Sequence, residues 1–126
     1  MSLKEWTVLI VEDEYDSMEL VQGILDHYDI QYLAAGDGEQ ALEILKDTIP
    51  TLVIVDLALP GIDGWNLLRT IRADPRLDGV PCVATTAYHS FEIADRAIEE
   101  GFVAYFPKPI EATAFVRELE YIIDGE

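Results

Sequence analysis

A chain of 126 residues, half of them apolar, is long enough to bury one hydrophobic core but too short for two. Its formal charge of -17 and the absence of any Lys/Arg-rich stretch argue against binding to nucleic acid or to an anionic membrane. No apolar run is long enough to span a bilayer, and the N-terminus lacks a signal-peptide pattern. We therefore expect one cytoplasmic domain over residues 1–126, with its core at about residues 7–123.

Short apolar segments alternate along the chain with segments of helical period, which indicates an α/β fold. The predicted strands are Thr7–Val11, Ile30–Ala34, Leu52–Val55, Cys82–Thr85 and Ala104–Phe106. The first and third are apolar throughout, as expected for central strands of a parallel sheet that is covered on both faces. Cys82, the only cysteine, is expected to pack in the core as a small apolar residue.

Five helices are predicted from apolar residues that recur at helical spacing. The apolar stripes are Met18, Val21, Ile24, Leu25 and Tyr28; Ala41, Leu42 and Leu45; Leu67, Leu68 and Ile71; Ile93, Ala94, Ala97 and Ile98; and Phe115, Val116, Leu119, Ile122 and Ile123. Asp37 and Gln40 resemble a capping box, Ser90 an N-cap, and Gly101 a helix end. Strands joined by right-handed helical crossovers form a doubly wound, five-stranded parallel sheet, which binds ligands beyond the carboxyl ends of its strands.

Polar residues follow four of the predicted strands: Glu12 and Asp13 the first, Asp56 the third, Thr86 the fourth and Lys108 the fifth. Because the carboxyl ends of parallel strands share one edge of the sheet, these side chains are expected to converge. Three neighbouring carboxylates repel one another unless cations compensate their charge or some of them are protonated. Mg²⁺, a hard cation that prefers oxygen ligands, is the simplest compensation, and Lys108 supplies a further positive charge.

A carboxylate nucleophile, a metal ion, an ammonium group and a hydroxyl donor are the parts that phosphoryl transfer requires. In this interpretation Asp56 is the nucleophile and Thr86 the hydrogen-bond donor to the phosphoryl group. Each residue also has a structural explanation: Asp56 as a turn former, and Glu12 and Asp13 as caps of the first helix. Lys108 could equally be a solvated surface residue, and Thr86 a strand-end residue that satisfies a backbone group. Their common position at one sheet edge favours a shared site.

Four motifs, in this order and at suitable spacing, resemble the receiver domains of two-component response regulators. They are "VLIVEDE", "VDLALPGIDG", "ATTA" and "YFPKP", and the resemblance extends from about Thr7 to Ile123. It implies a flavodoxin-like α/β fold with five helices and the strand order 2-1-3-4-5.

The resemblance also implies a role for each site residue. Asp56 is expected to be the phosphorylated residue, and Asp13 and Asp56 are expected to bind Mg²⁺ directly. Glu12 is expected to assist through water, and the backbone carbonyl of Ala58 to be a further metal ligand. Lys108 is expected to pair with the phosphoryl group.

Further expectations from the resemblance concern the switch. The Lys108 to Pro109 peptide bond is expected to be cis. Thr86 and Tyr105 are the expected switch residues: the Thr86 hydroxyl moves toward the phosphoryl group and the Tyr105 ring turns inward. The alternative for Tyr105 is a core aromatic residue with its hydroxyl at the surface. The resulting population shift changes the surface of the fourth helix, fifth strand and fifth helix, where a downstream protein distinguishes the two states.

The resemblance implies a signalling module and not a classical enzyme. It would accept a phosphoryl group from a sensor histidine kinase or a phosphotransfer protein, catalyse its own phosphorylation with Mg²⁺, and slowly lose the group by hydrolysis. We expect a monomer or weak dimer. The chain is consistent with a stand-alone receiver or with a segment of a longer regulator or hybrid kinase.

Three other functions are alternatives for such a chain. A metal-dependent aspartyl phosphatase needs a second acid two residues after the nucleophile, where this chain has Ala58. A flavodoxin-like electron carrier needs a phosphate-binding loop after the first strand, where "EDEYDS" would repel phosphate. A binding module that keeps the fold but is never phosphorylated is a remaining alternative.

Three residues, Leu59, Tyr88 and Pro107, depart from the commonest receiver pattern. We expect the bulky Tyr88 side chain to screen the phosphoryl group from water.

Overall fold

The fold of residues 2–125 is described by a computed structural model, so the first and last residues of the predicted domain lie outside it. Five parallel strands form one sheet, β1 (Thr7–Val11), β2 (Gln31–Ala35), β3 (Leu52–Asp56), β4 (Cys82–Thr86) and β5 (Ala104–Pro107). Their spatial order, β2-β1-β3-β4-β5, confirms the fold class and the strand order implied by the resemblance. β2 begins and ends one residue later than predicted. β3, β4 and β5 each extend one residue further than predicted, so Asp56 and Thr86 are the last residues of β3 and β4.

Five helices connect the strands or follow them, as predicted. They are α1 (Tyr15–His27), α2 (Gly38–Leu45), α3 (Gly64–Arg72), α4 (Phe91–Glu100) and α5 (Ala112–Asp124). Two short 3-10 turns, Leu3–Glu5 and Pro75–Leu77, complete the elements of the described chain. Among residues 2–125, no helix is both long and apolar enough to cross a membrane.

Two hydrophobic cores lie on opposite faces of the sheet, because alternate residues of a strand point to opposite sides. Leu9 and Val55 belong to the core that α2, α3 and α4 cover, and Ile10 and Ile54 to the core that α1 and α5 cover. Cys82 is buried in the first core, as predicted. The α/β layers therefore place every strand's carboxyl end at one edge, between the two sets of helices.

Most of the predicted helix ends are confirmed. Ser90 caps α4 through a hydrogen bond to a backbone N–H, and Gly101 ends that helix with a φ of 120°. Asp37 caps α2 by accepting the Gln40 N–H. The capping box itself differs from the prediction, because Gln40 accepts the N–H of Gly36 and not that of the cap residue.

One predicted core position is wrong. Ile98 was placed on the apolar stripe of α4, but its side chain is 54% exposed. Its neighbour Ala97 is fully buried and marks the face of α4 that meets the sheet. Ile98 follows that face by one residue, about 100° further round the helix, and therefore points outward.

Aromatic and charged side chains join α3 to α4. The Arg96 guanidinium lies 4.1 Å from the centre of the Trp65 ring, and the Trp65 and Phe102 rings meet edge to face at 6.0 Å. Glu100 accepts a hydrogen bond from Arg69 at 2.8 Å. These contacts hold the first turn of α3, which directly follows the loop after Asp56, against the neighbouring helix.

Candidate functional site

Three acidic residues meet at the carboxyl edge of the sheet. Carboxylate oxygens of Glu12, Asp13 and Asp56 all lie within 4.8 Å of one another. Glu12 and Asp56 are buried, whereas Asp13 is exposed. The predicted convergence of the acidic residues from β1 and β3 is therefore present.

Lys108, from the end of β5, reaches two of these carboxylates. Its Nζ atom lies 2.5 Å from Oε1 of Glu12 and 3.3 Å from Oδ2 of Asp56. Burial alone would lower the pKa of Lys108, but its hydrogen bond to Glu12 and the charge of Asp56 outweigh burial and raise it. The side chain is only 15% exposed, so it is not the solvated surface lysine of the structural explanation. Its peptide bond to Pro109 is cis, as expected.

The protonation of Glu12 reflects the crowding of negative charge. Burial and the neighbouring Asp56 carboxylate raise the pKa of Glu12 to about 7, although the hydrogen bond from Lys108 opposes the shift. Three ionised carboxylates and one ammonium group would carry a net charge of -2. A divalent cation with oxygen ligands matches both this charge and the available donor atoms. In the absence of a cation, a proton on Glu12 relieves part of the repulsion.

The position of Asp56 is fixed from two sides. Its Oδ1 atom accepts the N–H of Ala58 at 3.0 Å, which is the turn-forming bond of the structural explanation. Gly64, the first residue of α3, packs so closely that a Cβ atom there would lie 2.7 Å from the Asp56 carbonyl oxygen. Asp63, and not Asp56, caps α3. The "GIDG" turn therefore brings α3 directly against the backbone of the candidate acceptor.

The acidic pair after β1 does not cap α1 as the structural explanation supposed. The N-cap residue of α1 is Glu14. Glu12 accepts the Glu14 N–H at 3.2 Å with Oε2, while its Oε1 atom faces Lys108. Ala58 is exposed beside the acidic cluster.

The two expected switch residues lie on the neighbouring strands β4 and β5. Thr86 is buried, and its hydroxyl oxygen accepts the N–H of Tyr88 at 3.1 Å. The Tyr105 hydroxyl lies 2.9 Å from Nδ1 of His89. Burial raises the pKa of Tyr105. The Tyr88 side chain is 71% exposed, and its expected role in screening the phosphoryl group stays a prediction.

Three residues of the site region were missed by sequence analysis: Gly64, Thr85 and His89. Thr85 lies in register with Asp56 and is almost fully buried. It lines a cleft of about 350 Å³ together with Glu12 and Lys108. Two successive threonines in "ATTA" point to opposite faces of the sheet, so one of them was bound to face the cleft. Which threonine pairs with Asp56 depends on the register of β3 against β4, and neither strand alone encodes that register.

The chain is similar to known proteins in both sequence and fold. The family model described as "Response regulator receiver domain" matches residues 8–120. The chain belongs to this family. Receiver domains are signalling modules of two-component systems that interact with histidine kinases or phosphotransfer proteins and with downstream effectors.

Individual relatives agree with this assignment. The polar-differentiation response regulator DivK of Brucella anthropi is 26% identical over 114 residues, which cover 90% of this chain and 93% of DivK. A putative response regulator from Chloroflexus aurantiacus is 29% identical, with a TM-score of 0.90 and coverage of 94% of this chain and 98% of that chain. The receiver domain of sensor histidine kinase PA1611 from Pseudomonas aeruginosa, solved with a magnesium ion in its active-site cleft, is 25% identical. Its TM-score is 0.87, and the match covers 94% of this chain and 98% of that chain.

Proposed function

We propose that this receiver accepts a phosphoryl group on Asp56 from a histidine kinase or a phosphotransfer protein and thereby changes a partner-binding surface. The observation that carries the proposal is the position of Asp56. It is a buried carboxylate at the end of β3, next to two further carboxylates and 3.3 Å from the ammonium group of Lys108. This combination concentrates the charges that phosphoryl transfer needs around one oxygen nucleophile.

Mg²⁺ is the proposed cofactor. Asp13 and Asp56 would bind it directly, Glu12 through water, and Ala58 through its backbone carbonyl. The net charge of the cluster and the magnesium ion in the cleft of the PA1611 receiver support this assignment. When bound, the ion neutralises charge on the phosphoryl oxygens and orients the group for in-line transfer.

The proposed reaction is a displacement at phosphorus. A carboxylate oxygen of Asp56 forms the new O–P bond while the P–N bond of a phosphohistidine breaks, and the imidazole of the donor leaves. Lys108 pairs with a phosphoryl oxygen, and the Thr86 hydroxyl donates a hydrogen bond to another. A small phosphodonor would replace the phosphohistidine in self-catalysed phosphorylation. Hydrolysis of the acyl phosphate would return Asp56 to its free form. We expect this hydrolysis to be slow, because Ala58, two residues after Asp56, supplies no general acid or base.

The proposed output surface is formed by α4, β5 and α5. Exposed apolar side chains occur on α4, where Phe91 is 84% and Ile98 is 54% exposed. Exposed apolar side chains on one surface are common at protein interaction sites. Thr86 and Tyr105 link this surface to Asp56, since both lie on strands that end beside the acidic cluster. We expect a downstream protein there, and a monomer or weak dimer of the receiver itself.

Intact-mass measurement after incubation with acetyl phosphate and Mg²⁺ tests the proposal. We expect one phosphoryl increment in the parent and none in Asp56→Asn or in the presence of a chelator. Asp63→Asn is the matched control, because asparagine also caps helices and the residue lies outside the cluster. Failure of the parent to gain mass with several donors, or an equal gain in Asp56→Asn, would favour a binding module that is not phosphorylated.

A further inference from the structure

His89 makes a specific contact with Tyr105 across the loop between β4 and α4. Its Nδ1 atom lies 2.9 Å from the Tyr105 hydroxyl, and the two rings are 5.5 Å apart at an angle of 36°. The Tyr105 ring itself is partly buried against the core beneath α2, α3 and α4. The exposed His89 side chain thus contacts the hydroxyl of a ring that is otherwise packed against apolar residues, and the backbone N–H of Ser90 interacts with the same hydroxyl.

The loop that carries His89 is short and tied at both ends. At its start, the Thr86 hydroxyl accepts the Tyr88 N–H at 3.1 Å. At its end, Ser90 caps α4 by accepting the Ile93 N–H. His89 lies between these two hydrogen bonds, directly after Tyr88 and directly before Ser90. A displacement of the Thr86 hydroxyl is therefore transmitted to His89 through only two intervening residues.

We propose that His89 is a positioning residue that holds Tyr105 in its unphosphorylated conformation and releases it when the Thr86 hydroxyl turns to the phosphoryl group. This inference rests on the proposed function of Asp56 and Thr86. In it, the Thr86 oxygen gives up the Tyr88 N–H when the hydroxyl reorients. The loop then shifts, and the hydrogen bond between His89 and Tyr105 breaks.

The contact stabilises one state only, so its removal has a defined direction. A neutral hydrogen bond present only in the unphosphorylated state disfavours the phosphorylated state by about fivefold. Loss of the bond therefore favours binding of a phosphoryl mimic. Removal of either partner eliminates the same bond, so the two effects do not add.

The test measures the dissociation constant of fluoroberyllate, a phosphoryl mimic, in the presence of Mg²⁺ by fluorine NMR. His89→Phe keeps a ring of similar size without a nitrogen, and Tyr105→Phe removes only the hydroxyl. His89→Asn keeps a polar atom close to the position of Nδ1. His27→Phe, which changes the only other histidine at the remote end of α1, is the matched control. The ¹⁵N shift of His89 Nδ1 in the unmodified parent and in Tyr105→Phe reports the hydrogen bond independently of fluoroberyllate.

We expect binding about fivefold tighter in His89→Phe and in Tyr105→Phe, with no further gain in the double variant. His89→Asn and His27→Phe should stay within twofold of the parent, and the Nδ1 shift should change in Tyr105→Phe. The inference is overturned if His89→Phe is within twofold of the parent, if the two effects add, or if His89→Asn behaves like His89→Phe. If the parent binds no fluoroberyllate, the proposed function itself is refuted. If the parent binds it but the variants have the same dissociation constant, only the role of His89 is refuted.

Discussion

Glu12 and Lys108 are 96 residues apart in the chain, yet Oε1 of the glutamate lies 2.5 Å from Nζ of the lysine. The pair connects the end of β1, near the middle of the sheet, with the end of β5 at its edge. The ammonium group also lies 3.3 Å from Asp56, so it is shared between two buried carboxylates. One cation cannot neutralise both carboxylates, and burial together with the neighbouring Asp56 carboxylate raises the pKa of Glu12.

The stability of the metal-free protein should depend on the protonation of Glu12. Its pKa is about 7 in the folded state, above the ordinary value of 4.5, so the folded protein binds this proton more tightly than the unfolded chain. The resulting stabilisation is complete below pH 4.5 and is lost as the pH rises through 7. We expect a loss of up to about 3 kcal/mol across this window, measured by urea unfolding in a chelator.

Glu12→Gln should remove this part of the pH dependence, because glutamine carries no titrating proton. Glu118→Gln, an exposed position on α5, should keep the parent's profile. If the free energy of unfolding changed with pH equally in the parent and in Glu12→Gln, the pH dependence would come from other groups.

Magnesium should stabilise the folded protein, and more strongly at high pH. A ligand that binds only the folded state raises the free energy of unfolding by mass action. Binding requires ionised carboxylates, so the proton on Glu12 competes with the metal below pH 7. We expect the magnesium-induced rise in Tm to be larger at pH 8 than at pH 6. Asp13→Asn should reduce it, whereas Asp95→Asn on the exposed face of α4 should not.

Gly64→Ala should destabilise the loop that holds Asp56. The added Cβ would lie 2.7 Å from both the Asp56 carbonyl oxygen and the Leu57 Cα atom, and backbone atoms cannot rotate away. We expect overpacking to lower the free energy of unfolding by about 1–3 kcal/mol. We also expect weaker phosphorylation of Asp56. Gly23→Ala is the matched control, because a Cβ there meets nothing within 4 Å. In the interior of α1 it should stabilise the protein by about 0.5–1 kcal/mol. Equal effects of the two changes would contradict the close approach.

Cys82 should resist thiol reagents in the folded protein. It is buried in the core, and burial raises the pKa of its thiol, which lowers the fraction of reactive thiolate. Modification of the thiol therefore requires opening of the structure, and we expect its rate to be at least about 100-fold lower than in urea. Because the chain has a single cysteine, a colorimetric thiol assay reports this position alone. Rapid modification without denaturant would show that β4 opens easily.

The fold was predictable because local sequence patterns and the layered topology agree. Apolar segments such as Leu52–Val55 identified the central strands, and Asp37, Ser90 and Gly101 marked helix ends where the structure has them. The convergence of Glu12, Asp13 and Asp56 followed from their place after parallel strands, without knowledge of any contact. Their roles, by contrast, came from the resemblance and stay predictions.

What the sequence did not reveal depends on contacts between distant segments. Ile98 follows the helical period of α4, but the side of the helix that meets the sheet is set by packing. The bond between His89 and Tyr105 joins residues 16 positions apart and carries no local signature. The need for glycine at position 64 arises from the backbone of Asp56, which only the folded loop brings close.

The contact between Trp65 and Arg96 makes one indole a natural optical probe of the acceptor loop. Trp65 follows Gly64 directly, so movement of the loop after Asp56 alters its distance from a guanidinium group, which affects indole emission. The other tryptophan, Trp6, is fully buried in the opposite core and provides a constant background. Emission from the unlabelled protein would therefore follow the proposed metal binding and phosphorylation in real time.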